Sequence, residues 1–315
     1  MSRFTILGLL ASLVLIAAAC GGGDDDASTP DNGGTDNGPS EIAAQVASSD
    51  LLVGLNRLSI GLFDEETNLI LGAQVNLRLF KIDGDEETFV TELPAQYVAL
   101  ESNFVHEHED GLPHTHAEGE IGLYIVSVEF DSVGIWAAEV TATIDGQEQE
   151  PVRAHFEVLA ESDVPNIGDP APRTLQLTLS DVTELSEIDT SFEPDPEMHE
   201  LTIAAAIDSG KPVVVAFTTP AFCVSRICGP VKSEVVDPLF EEFQDEVLFV
   251  HVEPWDVVTA RETGERVPVD ALFEWSLQTE PWVFLIDAKG LIAARFEGIV
   301  SQGELREAIE AVLAG

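Results

Sequence analysis

Two groups of residues in this 315-residue chain have types and spacings that could do chemistry: a cysteine pair and a cluster of histidines. Cys223 and Cys228 enclose Val-Ser-Arg-Ile. The thiolate, not the thiol, exchanges disulfides and binds soft metals, and an ordinary cysteine near pKa 8.5 supplies little thiolate at neutral pH. Arg226, between the two, adds positive charge in a chain poor in it, and a helix N-terminus at this point would favour the thiolate further. Four of the seven histidines, His106, His108, His114 and His116, fall within FVHEHEDGLPHTHAEGE. Each pair reads His-x-His, and residues i and i+2 of an extended strand share a face. On facing strands the four imidazoles would converge, a donor set suited to copper, zinc or nickel, with Glu107, Glu109 and Glu118 at hand. A histidine-rich polar surface loop is the alternative.

The elements that must position these groups can be read from apolar patterning. Over residues 49–161, runs such as LNRLSIGLF, AQVNLRLFKI, IGLYIVSVEF, GIWAAEVTATI and VRAHFEVL alternate apolar with polar residues or are apolar throughout. Asp-Gly turns separate several of them. The pattern predicts an all-β, immunoglobulin-like sandwich without a disulfide, with Phe130 and Trp136 in its core and a hairpin joining IGLYIVSVEF to GIWAAEVTATI. The histidine segment lies between two of these strands.

Residues 162–315 read differently. DVPNIGDPAP is a linker, and a helical stretch is expected over 199–208, ending at Gly210. VVVAF is a continuous apolar run, as a strand buried on both faces would be. After Cys228, Val231, Val235, Leu239 and Phe243 recur at helical spacing, with Pro238 expected to kink or divide that helix. VLFVHVEPW follows as a strand. TEPWVFLIDAKGLIAARFEG reads strand, turn, strand, and SQGELREAIEAVL reads as a helix with Ser301 and Glu304 placed for a capping box.

This order resembles the thioredoxin fold over about residues 165–315, implying an α/β thioredoxin-like C-terminal domain. A cysteine follows a buried strand at a helix start. Cys228-Gly229-Pro230 stands where that family has Cys-Gly-Pro-Cys, and Glu280-Pro281 precedes WVFLID where the family has a cis-proline. The resemblance implies that Cys223 attacks, Cys228 resolves, and Pro281 shapes the substrate groove. Two departures stand out. Val231 replaces the second cysteine of the motif, and four residues separate the pair instead of two. Five helical positions turn the chain about 140° and rise about 7.5 Å, so a direct bridge requires Cys223 to lie in the loop before the helix. Sco-type copper assembly proteins, a branch of the same fold, use a cysteine pair with a distant histidine; here His251 lies on the strand that follows the pair.

The N-terminus reads as an address. Residues 1–20 comprise Arg3, an apolar run and Ala17-Ala18-Ala19 before Cys20, the layout of a secretory signal. Small residues directly before a cysteine resemble a bacterial lipobox, which implies lipidation at Cys20. Residues 21–48 are expected to be a disordered acidic, Gly-rich tether. Localisation is then extracytoplasmic, with the chain held at the membrane through lipid in a compartment that permits disulfides. With 58 acidic against 14 basic residues and a formal net charge of −44, the surface repels phosphate backbones, which excludes DNA and RNA as partners.

Three functions remain open. The first is a thiol–disulfide oxidoreductase acting on thiols and disulfides of exported proteins, with no cofactor required. The second is a metal-handling protein using copper or zinc at the cysteine pair and the histidine segment. The third is a non-catalytic binding module with a structural disulfide.

Overall fold

The computed structural model describes residues 42–107, 113–223 and 225–315. The signal segment, Cys20, most of the expected tether and His108 lie outside the described residues. Ile42–Val46, counted with the tether, forms the first strand.

Eight strands build one antiparallel sheet: β1 (Ile42–Val46), β2 (Gly54–Asp64), β3 (Gln74–Asp83), β4 (Glu86–Glu107), β5 (Pro113–Phe130), β6 (Gly134–Ile144), β7 (Gln147–Glu148) and β8 (Val152–Val158). Their order is β1-β2-β5-β4-β3-β6-β7, with β8 also on β6. The sheet curls until its ends meet: Leu52 bridges Leu159, and the Val53 amide donates to the Leu159 carbonyl. Inside the curl, Leu58, Ile60, Leu77, Leu79, Phe130 and Trp136 are buried. Phe130 meets Trp136 edge to face at 4.9 Å, a favoured aromatic geometry, and the indole N–H donates to the Ser132 carbonyl.

The second half carries a four-stranded sheet of β9 (Val213–Phe217), β10 (Leu248–Val252), β11 (Trp282–Ile286) and β12 (Ile292–Glu297), ordered β10-β9-β11-β12. Only β9 and β10 are parallel. The helices are α1 (Ile203–Asp208), α2 (Cys228–Val231), α3 (Asp237–Phe243), α4 (Val257–Thr263), α5 (Asp270–Glu274) and α6 (Gln302–Ala314). All except α6 are short. In α6 the Ser301 hydroxyl accepts from the Glu304 amide while the Glu304 carboxylate returns to the Ser301 amide, closing the capping box.

The helical run after Cys228 is broken by a π-turn over Lys232–Val236 before α3 begins. Pro238 has no N–H to offer the Glu234 carbonyl four residues back. That carbonyl instead accepts from Gln302 Nε2 of α6 at 3.0 Å, so the interruption is used to tie two helices together.

These findings correct the expected fold class. The chain is mostly β: one curled eight-stranded antiparallel sheet and a four-stranded sheet, in place of an immunoglobulin-like sandwich followed by an α/β thioredoxin-like domain. The reason lies in pairing. The long strands β4 and β5 stay paired along their length, across one register shift between Ser102 and Asn103, so strands that would have divided between two packed sheets stay in one. The expected hairpin is also absent. Both edges of β5 are taken by β2 and β4, and β6 pairs with β3 and β8.

The two sheets share a hydrophobic cluster. Side chains of β5 alternate: Tyr124, Val126 and Val128 face the inside of the curl, while Leu123 and Ile125 join Val98 and Leu100 against Val231, Val235 and Phe240. This explains why IGLYIV, residues 121–126, reads apolar without a break: it is buried on both faces, whereas the following Ser127 and Glu129 are exposed. Arg57 reinforces the contact, meeting the Glu304 carboxylate at 2.7 Å and donating to the Ile299 carbonyl at 2.6 Å. Among the described residues, no helix is long and apolar enough to cross a membrane.

Candidate functional site

The buried strand β9 ends in Thr218-Thr219, and an irregular segment then leads to α2. Cys223 lies in that segment and is partly exposed; Cys228 is the first residue of α2 and fully buried. The chain is folded back so that the Cys228 amide donates to Cys223 Sγ at 3.3 Å. Arg226 adopts a left-handed backbone, φ 62°, an unusual conformation for a residue with a side chain, and it allows this return. The Ser225 hydroxyl also lies 3.3 Å from Cys223 Sγ. Both thiols are free, and the two sulfurs and a Glu280 carboxylate oxygen lie within 4.8 Å of one another. The Glu280–Pro281 bond is cis.

The two thiols differ electrostatically. The hydrogen bond from the Cys228 thiol, aided by Ser225 and backbone amides, outweighs burial at Cys223 and holds its pKa down at about 6. Burial pushes the Cys228 thiol well above its usual value, and its bond to Cys223 adds to the rise. The pair is therefore a partly exposed thiolate beside a sealed thiol. Phe222 is partly exposed at the site. Trp282 is buried and stacks on Phe284 at 5.4 Å.

Of the expected histidine site, the structure describes backbone only. His106 stands opposite His114, and His116 opposite Phe104, on β4 and β5. His108 lies outside the described residues.

A second polar cluster, not foreseen from the sequence, sits behind the cysteine loop. Asp189 follows a single 3-10 turn (Leu185–Glu187), His199 closes another (Pro196–His199), and His251 projects from β10. His199 Nε2 is 2.8 Å and His251 Nδ1 3.3 Å from the same oxygen, Asp189 Oδ2. All three residues are buried, with one ligand atom from each within 4.8 Å of the others. Burial opposes charge on the Asp189 carboxyl, yet the neighbouring histidines outweigh it and hold the group well below the usual range. At His199 burial prevails and the pKa falls. At His251 the same burial is overcome by Asp189 and the pKa rises. Glu253, also buried, is pushed up to about 7 by burial and binds the Thr190 hydroxyl at 2.6 Å.

Adjacent residues serve the two clusters. Thr218 contacts His251 Nε2, while the Thr219 amide bonds Cys228. A histidine inside the apolar run LFVHV was the sequence signal for this second group. His199 falls at the start of the helix expected over 199–208, and nothing in the sequence marks Asp189. Two sets of side chains can thus hold a metal: Asp189, His199 and His251, or Cys223, Cys228 and Glu280.

No family model and no curated protein matches the chain. Among solved structures, the PmoD soluble domain from Methylocystis sp. ATCC 49242 (Rockwell) is similar, with 14% identity over 39% of this chain and 94% of that one. Its TM-score is 0.22, at which the likeness supports no conclusion about this chain.

Proposed function

We propose that the chain is a thiol–disulfide oxidoreductase acting on exported proteins from an extracytoplasmic, lipid-anchored position through Cys20. The supporting observation is the asymmetry of the cysteine pair: a partly exposed sulfur with a pKa of about 6 beside a fully buried one whose pKa is raised. Cys223 thiolate attacks a substrate disulfide, forming a mixed disulfide and releasing one substrate thiolate. Cys228 loses its proton and attacks Cys223 Sγ, forming the internal disulfide and releasing the second substrate thiol. The substrate disulfide gains two electrons and the pair loses two. Arg226 favours the thiolate by its charge, and Pro281 offers no N–H to compete for the sulfur. No cofactor is required.

The test is the reduction potential of the pair in the full chain. The chain is equilibrated in thiol buffers, and alkylation at Cys223 and Cys228 is read peptide by peptide, so that Cys20 does not enter. A midpoint between about −120 and −270 mV is expected, the range of exchange catalysts. A midpoint below about −300 mV marks a structural disulfide and rejects the reading.

A second reading rests on Glu280. Its carboxylate lies near both sulfurs; the two thiolates suit Cu(I) or Zn(II), and the carboxylate can complete a zinc site. Copper held there, with His106, His108, His114 and His116 as a further ligand set, would make the chain a metal-delivery protein. Tight Cu(I) binding by the reduced pair, lost in Cys223→Ser, would favour it over exchange.

A further inference from the structure

We infer that Asp189, His199 and His251 form a site for one divalent transition-metal cation of zinc-like preference, separate from the cysteine pair and beside a cavity.

The argument begins at His251. Its Nε2 lies 3.0 Å from the Thr218 carbonyl oxygen, which only accepts, so this nitrogen bears the hydrogen. The bond to a main-chain carbonyl is the arrangement that commonly orients a metal-binding imidazole and leaves its other nitrogen with a lone pair. That other nitrogen, Nδ1, is buried and has no hydrogen-bond partner. It nevertheless stands 3.3 Å from Asp189 Oδ2, which also lies 2.8 Å from His199 Nε2, a nitrogen that gives up any hydrogen it carries when it binds a metal. Nδ1 and Oδ2 face each other without a well-aligned hydrogen bond, and either a second ring proton, which Asp189 favours, or a metal cation can fill the gap. A cation placed there satisfies both. Ligands about 2.1 Å from a tetrahedral zinc stand about 3.4 Å apart, close to the spacing between Nδ1 and Oδ2.

The surroundings fit a cation. Lys232, buried nearby, opposes positive charge at His199 and His251, and its pairing with Asp237 offsets part of this. Glu253, with one carboxylate oxygen buried and unpartnered, adds negative potential at His251 in its ionised form. A cavity of about 630 Å³ is lined by His199, His251, Glu253 and Trp255. Two of the three ligands border this cavity, and a three-ligand zinc site differs from closed four-ligand structural sites in leaving room for a water or small ligand. With two imidazoles, one carboxylate and no sulfur, the donor set differs in kind from the thiolates of Cys223 and Cys228.

The test uses the full chain with His106, His108, His114 and His116 changed to Asn and all three cysteines to Ser, which removes the other metal ligands considered above. Titration with Zn(II) should show one equivalent bound, and Asp189→Asn or His199→Gln should weaken it at least about 100-fold. Co(II) in the same protein should give visible ligand-field bands without sulfur charge transfer. If the background protein folds, by circular dichroism, and takes up no zinc, the proposal fails. It also fails if zinc is retained at full affinity in a folded Asp189→Asn variant. Should that variant not fold, Co(II) bound to the background protein must shift the ring-proton resonances of His199 and His251; unshifted resonances overturn the site.

Discussion

The two sheets of this protein were built under different rules. Among the described residues, Ser59 is the only buried polar or charged residue of the eight-stranded sheet region, whereas ten lie buried after residue 161, including Asp189, His199, Lys232, His251 and Glu253. The first region is held by apolar burial and a strand ladder. The second places ionisable groups at the ends of β9 and β10, where taking charge out of water is costly unless the groups are paired. Structure that tolerates this cost is where chemistry is to be sought, and it is also where both candidate metal-binding groups lie.

The largest expected effect tests the separation directly. Trp136→Ala removes a fully buried indole from the first region and should cost about 3–5 kcal/mol in denaturant unfolding. The pH profile of Cys223 alkylation should not move. A displaced profile would show that the dry core and the thiol loop are coupled through their shared cluster, and the contrast would have to be abandoned.

A smaller effect lies within the second region. With a pKa of about 6, Cys223 is mostly thiolate at pH 7 and mostly thiol at pH 5, so its alkylation should slow about tenfold between them. Ser225→Ala removes a bond that favours the thiolate, and should shift the profile toward higher pH. A profile centred near 8.5 in the unaltered chain would remove the asymmetry on which the exchange mechanism depends.

The smallest effect concerns the seam. Arg57→Ala should cost about 1 kcal/mol, since the pair with Glu304 is only partly shielded from water. Burial raises the pKa of Glu304, but Arg57 outweighs it and the folded value falls below the ordinary 4.5. The pair's contribution is therefore present above about pH 4.5 and lost as pH falls through the lowered value. Stability curves of the two proteins should converge in acid; a constant gap would show that Arg57 acts through packing alone.

Local features were legible in the sequence because they depend on neighbours along the chain. The apolar runs of β9, β10 and β11, the turn at Lys289-Gly290, the capping box of α6 and the break near Pro238 all follow from periodicity, backbone freedom or a missing N–H. The cysteine pair was visible as a pair for the same reason.

What the chain pattern alone determined was thus which segments extend or coil, and which residue types stand ready to react. Only the tertiary structure decided which strand lies beside which. An apolar stretch such as IGLYIVSVEF satisfies its hydrogen bonds equally with any partner of matching length, so β5 pairing with β2 and β4, and the curled single sheet that results, depends on long-range packing. The same holds for Asp189, His199 and His251. They are separated by up to 62 positions, and none is distinctive by itself; burial brings them to one oxygen, where their charges and lone pairs acquire meaning.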